Sequence, residues 1–269
     1  MTGKTEMAGE GPELIKKKIR DVMSRPVIID KSGRISDALD LMDKHHVRRL
    51  IVRHDDKVQG IVSVRSVCES LGSRRKSNHP PSLFHVADAI SNSFAIVSPD
   101  DSLDKAVSAL KDVDSVVVVD GKILGSISTA EILRHVTPPG TVAEVMKVPV
   151  IAPPDARVSF IRKLMMERSV SRVPIMDGFT LVGIVSETDV AAALRGVKHR
   201  STQGHQDNNI ERMIAMDVMR AGVITASPGM RIGEAAKLMI DNDVGALPVL
   251  DDRRHLVGIV TRRDIVRAI

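Results

Sequence analysis

Apolar and polar positions recur in the same order four times along the chain. Each unit opens with a short apolar segment, such as residues 148–151, which predicts a β-strand. After a polar turn, apolar residues return at helical spacing, as at Leu103, Ala106, Val107 and Leu110 of the second unit. Two further apolar runs and a short closing helix follow. The pattern therefore predicts a β-α-β-β-α order in every unit.

The two middle runs are predicted to form β-hairpins. The hairpin signal Asp-Gly separates residues 116–119 from 123–127, and 173–176 from 181–185. Asp-Gly between apolar runs predicts a tight hairpin, because glycine tolerates the positive φ that such turns require. We predict that the closing helix of the last unit spans residues 264–269.

Two short phrases mark the repeats. A Gly-aliphatic-aliphatic-hydroxyl phrase begins at Gly60, Gly183 and Gly258, and a variant of it, Gly-Ser-Ile-Ser, begins at Gly125. Each is preceded by an acidic-aliphatic-Met or acidic-aliphatic-Ile phrase, at separations of 39, 37, 39 and 41 residues. Near-constant separation within the units and variable separation between them indicate four structural repeats joined by linkers.

A single unit has two helices, which can cover only one face of a small sheet, so we expect the units to associate in pairs. Two prolines in the segment 137–140 stop the preceding helix and mark the boundary between the pairs. We expect the two pairs to pack in a disc-like arrangement, within one chain or by homodimerisation. The predicted ranges are a disordered segment 1–12, a first pair 14–136 (units 14–72 and 83–136), a second pair 137–269 (units 137–196 and 210–269) and a mobile linker 197–209.

Composition narrows the class of protein. Of the 269 residues, 43% are hydrophobic, which excludes a chain disordered throughout. No apolar run approaches the roughly 18 residues of a membrane-spanning helix, and the first ten residues show no secretory signal. Cys68 is the single cysteine, so no disulfide can form within the chain. We expect a cytoplasmic protein.

The charge balance leaves more than one kind of partner open. A net charge of +5 suits phosphate-bearing ligands, nucleic acid or acidic partners. The densest basic run, Arg74-Arg75-Lys76, has the composition of a solvated loop. An aromatic content of 1% argues against a platform on which single-stranded bases would stack.

The repeats resemble the cystathionine-β-synthase-type (CBS) domain over about residues 14–269. The phrases that carry the resemblance are Gly-Ile-Val-Ser-Glu-Thr-Asp at 183–189, Gly-Ile-Val-Thr-Arg-Arg-Asp at 258–264, Arg-Val-Pro-Ile at 172–175 and Ala-Leu-Pro-Val at 246–249. The resemblance implies an α/β (α+β) fold of four β-α-β-β-α repeats, paired into two pseudo-twofold Bateman modules. It also implies a regulatory protein without a catalytic domain. Such a protein binds AMP, ADP, ATP or S-adenosylmethionine in clefts between paired units and acts on a target protein that the sequence does not identify.

The resemblance assigns roles to a Ser/Thr-x-x-Asp spacing. Asp189 and Asp264 would accept hydrogen bonds from ribose hydroxyls, while Ser186 and Thr261 would lie near phosphate at the start of the closing helix. The first unit has a serine at the aspartate position and the second has Glu131, so we expect weaker binding, or none, in the first pair. Helix capping alone is the alternative interpretation of both aspartates.

Further candidates surround this motif. Gly222 and Thr225 match a family segment that frames adenine, and Arg172 is placed to reach a phosphate or to form a surface ion pair. Weaker candidates for ligand contacts in the first pair and at the start of its strands are Ser63, Ser128, Arg48 and Arg49.

Metal and catalytic sites find little support. Adjacent His45 and His46 would point in different directions on a helix, His54 and His85 follow only at a distance, and no acidic cluster completes a metal site. The sequence has no Gly-x-Ser-x-Gly, phosphate-loop or His-Glu-x-x-His motif. Two alternatives to a regulatory sensor remain: a basic nucleic-acid-binding protein, and a structural oligomerisation module with inactive ligand sites.

Overall fold

The computed structural model describes residues 17–55, 57–71, 81–199 and 212–269. In the first half of the chain the strands are β1 (Ile28–Asp30), β2 (Arg49–His54), β3 (Lys57–Ser63), β4 (Phe94–Val97), β5 (Ser115–Asp120) and β6 (Lys122–Ile127), and the helices are α1 (Ile35–Lys44), α2 (Val64–Leu71), α3 (Leu103–Asp112) and α4 (Thr129–His135). Short 3-10 turns lie at Ile19–Asp21, Pro81–Leu83 and Val86–Ala89.

The second half repeats this order with fewer strands. Its strands are β7 (Arg172–Asp177), β8 (Thr180–Ser186), β9 (Ala246–Leu250) and β10 (Leu256–Thr261), and its helices are α5 (Val142–Val145), α6 (Val158–Glu167), α7 (Glu187–His199), α8 (Ala215–Val218), α9 (Ile232–Asp241) and α10 (Arg262–Arg267). The closing helix of the last unit, α10, begins at Arg262, two residues before its predicted start at residue 264. The mixed α+β character of the fold is confirmed.

The sheets of the first two units match the prediction. In the first unit β1 runs parallel to β2, and β2 is antiparallel to β3; in the second unit β4, β5 and β6 are arranged in the same way. Each main helix buries one apolar stripe, as α1 does with Ile35, Ala38, Leu39 and Met42.

The predicted opening strand of the third unit, residues 148–151, is wrong. These residues form no strand, and only Ala152 bridges to Ile175 of β7. Pro149 lacks the N–H that a central strand donates to its neighbour, so this segment cannot extend the ladder. In the fourth unit, Gly222 has φ 66°, which interrupts extended backbone, and only Ala226 bridges to Val249. The opening strands predicted for the third and fourth units are therefore absent, because apolar composition alone does not reveal these backbone restrictions.

The two recurring phrases meet across neighbouring units. The residue after each phrase glycine forms a reciprocal pair of backbone hydrogen bonds with the residue after the methionine, or after Ile90, of the paired unit. These pairs join the first unit to the second and the third to the fourth: Ser24 with Ser126, Ile61 with Ser91, Lys147 with Ile259, and Ile184 with Arg220.

Each phrase glycine leaves room for a side chain of the other phrase. A Cβ on Gly60 would lie 2.5 Å from Ile90, and a Cβ on Gly258 would lie 2.6 Å from the sulfur of Met146. Gly125 faces Met23 and Gly183 faces Met219 in the same way. The repeats thus require glycine because a hydrophobic side chain from the neighbouring unit packs against the bare backbone.

We expect Gly60→Ala to lower the free energy of unfolding by about 1–3 kcal/mol, the usual cost of overpacking. The added methyl would meet Ile90 and also the carbonyl oxygen of Ser91 at 2.8 Å, and a backbone oxygen cannot move aside cheaply. Gly229→Ala is the matched control, since its Cβ would meet nothing within 4 Å. Urea unfolding of both variants measures the difference, and equal stabilities would contradict this packing account.

Buried side chains connect the units in a second direction. One core cluster joins Leu103 and Val116 of the second unit to Ile232 and Ile265 of the fourth. The other joins the first unit to the third, and α2 packs against α7 there. Backbone bridges therefore link neighbouring units, while apolar packing links alternate units, so the two predicted pairs contact each other within one chain.

Several predictions fall on residues outside the described ranges. The disordered segment 1–12 and the run Arg74-Arg75-Lys76 lie there, as does the predicted linker from residue 200 onward. Residues 197–199 of that linker instead continue helix α7. Within the described ranges, no helix is long and apolar enough to cross a membrane.

Candidate functional site

Asp264 and Thr261 form a reciprocal cap at the start of α10. The Thr261 hydroxyl donates to Asp264 Oδ2 at 2.5 Å, and the Thr261 backbone N–H donates to the same oxygen at 3.0 Å. In return, the Asp264 backbone N–H donates to Thr261 Oγ1 at 3.2 Å. The capping alternative raised by the sequence is thus present in this structure. It occupies one carboxylate oxygen, Oδ2, and leaves Oδ1 to face the neighbouring unit.

Asp189 and Ser186 repeat this geometry at the start of α7. The Ser186 hydroxyl and backbone N–H both donate to Asp189 Oδ2, at 2.5 and 2.9 Å. Both aspartates are nearly buried, and in both cases Oδ1 contacts a cation from the paired unit. Arg220 Nε donates to Asp189 Oδ1 at 3.0 Å, and Lys147 Nζ forms an ion pair with Asp264 Oδ1.

The second unit keeps a longer version of the cap. The Ser128 hydroxyl donates to Glu131 Oε2 at 2.6 Å, and the Ser24 hydroxyl donates to Glu131 Oε1 at 2.8 Å. Burial acts to raise the pKa of the Glu131 carboxyl, but hydrogen bonds from Ser128 and then Ser24 outweigh it, and the pKa is lowered. The carboxylate of this unit is therefore already engaged by hydroxyl groups of its own pair.

The first unit keeps the cap without the charge. The Ser63 backbone N–H donates to Ser66 Oγ at 2.9 Å, and the Ser66 backbone N–H donates to Ser63 Oγ at 3.0 Å. Both serines are buried. A neutral hydroxyl stands where the other units have a carboxylate, so this unit has no charged acceptor for a ribose.

Exposed apolar residues follow Lys147, whose Nζ pairs with the Asp264 carboxylate. Val148, which follows Lys147, has 89% of its surface exposed, and Val257 beside Gly258 is also exposed. Ile151 in the same segment is half exposed. A buried carboxylate with exposed aliphatic side chains nearby can receive a ligand that has both hydroxyl groups and a flat apolar ring.

Arginines from three units gather where all four units meet. Arg172 at the start of β7 lies against Gly245, and so does Arg48 from the first unit. Burial lowers the pKa of the Arg172 guanidinium to about 9, and repulsion by Arg48 is the next cause. Arg172 donates to Ser171 Oγ at 2.9 Å. The predicted surface ion pair of Arg172 is wrong, because its guanidinium lies inside this arginine cluster.

The cluster contains Arg48, Arg49, Arg65, Arg172, Arg262 and Arg263. Three carboxylates, those of Asp114, Glu187 and Asp243, balance only part of this positive charge. Asp114 lies 2.6 Å from Arg263 and 3.8 Å from Arg49. Burial acts to raise the pKa of Asp114, but Arg49 and Arg263 outweigh it and the pKa is lowered. The remaining contacts join Arg65 to Glu187 and Arg262 to Asp243. In the described part of the chain, the buried Nε atoms of Arg49 and Arg262 have no hydrogen-bond partner. The cluster thus has an excess of positive charge and unused donors, as an anion site requires.

The family comparison decides what these repeats are. The CBS domain model matches four times, at residues 19–73, 86–137, 142–196 and 214–269. The chain belongs to the CBS domain family. The resemblance drawn from the two recurring phrases is therefore confirmed, including the count of four tandem CBS repeats.

One archaeal protein matches nearly the full length of this chain. MJ1225 of Methanocaldococcus jannaschii is 24% identical over 265 residues, covering 90% of this chain and 94% of its own. Its crystal structure, described as that of a candidate archaeal homolog of g-AMPK, has a TM-score of 0.83 at 21% identity. It covers 93% of this chain and 99% of that one. At this identity the likeness shows the fold.

Two shorter relatives match about one CBS pair. MJ1426 of the same organism is 30% identical over 153 residues, covering 48% of this chain and 90% of its own. The structure of CBSX2 in complex with AMP is 26% identical and covers 48% of this chain and 94% of that one, with a TM-score of 0.41. AMP is bound to CBSX2 in that structure, and the observation concerns CBSX2 alone.

The structure places most of the residues predicted from the CBS resemblance in two helix caps and one arginine cluster, rather than in a single site. Ser186 and Asp189 share one cap, Thr261 and Asp264 share another, and Arg48, Arg49 and Arg172 lie in the central cluster. The segment with Gly222 and Thr225 begins beside Asp189, since Arg220 contacts that carboxylate. Thr225 has no hydrogen bond within the described ranges, and the predicted roles of all these residues stay predictions.

Sequence reasoning missed the two cations and several cluster arginines. Lys147 and Arg220 each directly follow the methionine of the acidic-aliphatic-Met phrase. This repeated position of a basic residue could have identified both from the sequence. Arg262 and Arg263 lie inside the quoted CBS phrase at 258–264. A groove of about 950 Å³ between α4, the segment 137–141 and α9 contains none of the predicted site residues. In the described ranges, no group of three His, Cys, Asp or Glu side chains could hold a metal ion.

Proposed function

We propose that this CBS protein is a regulatory sensor of adenosine nucleotides without a catalytic domain of its own. The observation that carries the proposal is the pair of equivalent buried carboxylates, Asp189 and Asp264. Each is fixed by a cap through one oxygen and directs the other toward the paired unit. Two adjacent ribose hydroxyls can donate to such a fixed carboxylate, and charge-assisted hydrogen bonds of this kind are strong.

Phosphate binding follows from the same arrangement. Ser186 and Thr261 lie at the starts of α7 and α10, where free backbone N–H groups and the helix dipole favour an anion. Thr261 Oγ1 is within hydrogen-bond distance of Asp264, so ribose and phosphate contacts would adjoin. Arg172, Arg48 and Arg49 supply further positive charge from the central cluster.

The second pair of CBS repeats is the binding half in this proposal. Its two units have aspartate at the ribose position, whereas the first pair has Ser66 and a Glu131 already engaged by Ser24 and Ser128. The ligand is AMP, ADP, ATP or S-adenosylmethionine, and its occupancy would change contacts with a target protein. A cytoplasmic location and a homodimer belong to the same proposal.

Thermal unfolding with added ligand tests the proposal. A ligand that binds the folded state raises the Tm, by mass action. We expect AMP, ADP, ATP or S-adenosylmethionine to raise it and guanosine nucleotides to have a smaller effect. If none of the adenosyl ligands shifts the Tm, a structural module with inactive sites replaces the sensor. If retention of nucleic acid falls steeply with salt instead, the nucleic-acid-binding alternative is favoured.

A further inference from the structure

A solvent-facing cation contacts each of the two buried carboxylates. The Lys147 side chain is 57% exposed while that of Asp264 is 6% exposed, and the Arg220 side chain is 68% exposed while that of Asp189 is 10% exposed. Both cations come from the paired unit and directly follow the methionine of its acidic-aliphatic-Met phrase. A long exposed side chain can leave such a contact easily, whereas the carboxylate cannot move.

Among the described residues, a cation from the paired unit contacts the capping acid only where that acid is aspartate, whereas Glu131 pairs with Arg134 of its own helix. In the first pair the positions that match Lys147 and Arg220 are Ser24 and Ser91. Ser24 donates its hydroxyl proton to Glu131, and the first unit has Ser66 instead of an acid at the capping position. The cation and the aspartate therefore appear together in the second pair and are both absent from the matching positions of the first.

The cation and a ribose would compete for the same oxygen. Asp264 Oδ2 already accepts two hydrogen bonds from Thr261, and Asp189 Oδ2 accepts two from Ser186. A carboxylate oxygen offers about two lone-pair sites, so Oδ2 has none left. Two ribose hydroxyls would therefore need Oδ1, where Lys147 or Arg220 lies.

We propose that Lys147 and Arg220 are specificity-determining residues that select adenosine ligands with an anionic 5′ group. This inference rests on the proposed function. A ribose that reaches Oδ1 displaces the cation, which then needs a new negative partner. The 5′-phosphate belongs to the same ribose, so the long exposed side chain of Lys147 or Arg220 can turn from Oδ1 to the phosphate. A neutral nucleoside breaks the ion pair and replaces it with nothing.

Calorimetry with adenosine and AMP tests this selection. In the double variant Lys147→Met and Arg220→Met, adenosine should bind about two- to fivefold more tightly, because it no longer breaks an exposed ion pair. The affinity for AMP should change by less than about twofold, because the variant removes both the pair that AMP breaks and the pair that AMP gains. The preference for AMP should thus fall about two- to fivefold. Lys237→Met is the control, since Lys237 pairs with Asp241 on the exposed face of α9 and should leave the preference unchanged.

Salt dependence of the unmodified protein gives a second measurement. Ionic strength weakens an exposed ion pair, so adenosine should bind more tightly as salt rises, while AMP binds more weakly. If adenosine and AMP both bind but neither the double variant nor added salt changes their preference, the selection is wrong and the sensor stands. If the unmodified protein binds neither adenosine nor AMP, and S-adenosylmethionine also fails to bind, the selection and the proposed function fall together.

Discussion

AMP binding is expected to weaken at least about tenfold when Asp264 is replaced by alanine. The variant leaves two ribose hydroxyls without their charged acceptor, and hydrogen bonds to charged groups contribute roughly 1.5–3 kcal/mol each. A loss of about 1.4 kcal/mol is already a factor of ten in Kd. Asp189→Ala should have a similar effect in the third unit, and titration calorimetry measures both.

The cap complicates this experiment, because Asp264 also holds the start of α10. Removing a cap costs about 0.5–2 kcal/mol of stability, so the Tm of each variant must be measured alongside the Kd. Glu131→Ala is the matched control, since it removes a capping acid from the first pair and should leave AMP binding unchanged. If both aspartate variants bind AMP and ATP as tightly as the unmodified protein, these residues do not hold the ribose.

Ile265→Ala should lower the free energy of unfolding by about 2–5 kcal/mol. Ile265 is fully buried in the cluster that joins the fourth unit to the second. Because that cluster crosses between the two pairs, the loss should appear as one cooperative transition of the whole chain. Urea unfolding measures the change in the free energy of unfolding, and scanning calorimetry gives the number of transitions.

Two controls make this result specific. Ile265→Val leaves a smaller cavity and should cost about 0.5–1.5 kcal/mol, whereas Val257→Ala removes a partly exposed side chain and should be nearly neutral. Two separate transitions, with only the one assigned to residues 137–269 shifted, would show that the two pairs fold independently and that the shared core does not couple them.

The sequence predicted the repeats because their signals are local. The hairpins at Asp120-Gly121 and Asp177-Gly178 follow from turn chemistry and from flanking apolar runs, and both are present. The opening strands predicted for the third and fourth units are absent, because apolar composition predicts a strand where Pro149 and Gly222 prevent one. Local backbone chemistry overrides hydrophobicity there.

Contacts between units could not be predicted in the same way. The recurrence of Gly258 and of Met146 marks two phrases, but nothing local shows that one phrase packs against the other. Lys147 reaches Asp264 only after two units have folded together. The Thr261 and Asp264 spacing is ambiguous for a different reason, since a helix cap and a ribose site use the same two residues.

Mass spectrometry of the small molecules released from the natively purified protein tests the central claim most directly. The account predicts an adenosine-containing compound that is retained by the unmodified chain and lost from the double variant Asp189→Ala and Asp264→Ala. Equal recovery of that compound from both proteins would contradict the assignment of the second pair. No adenosyl compound in either, together with no Tm shift from AMP, ADP, ATP or S-adenosylmethionine, would contradict the sensor itself.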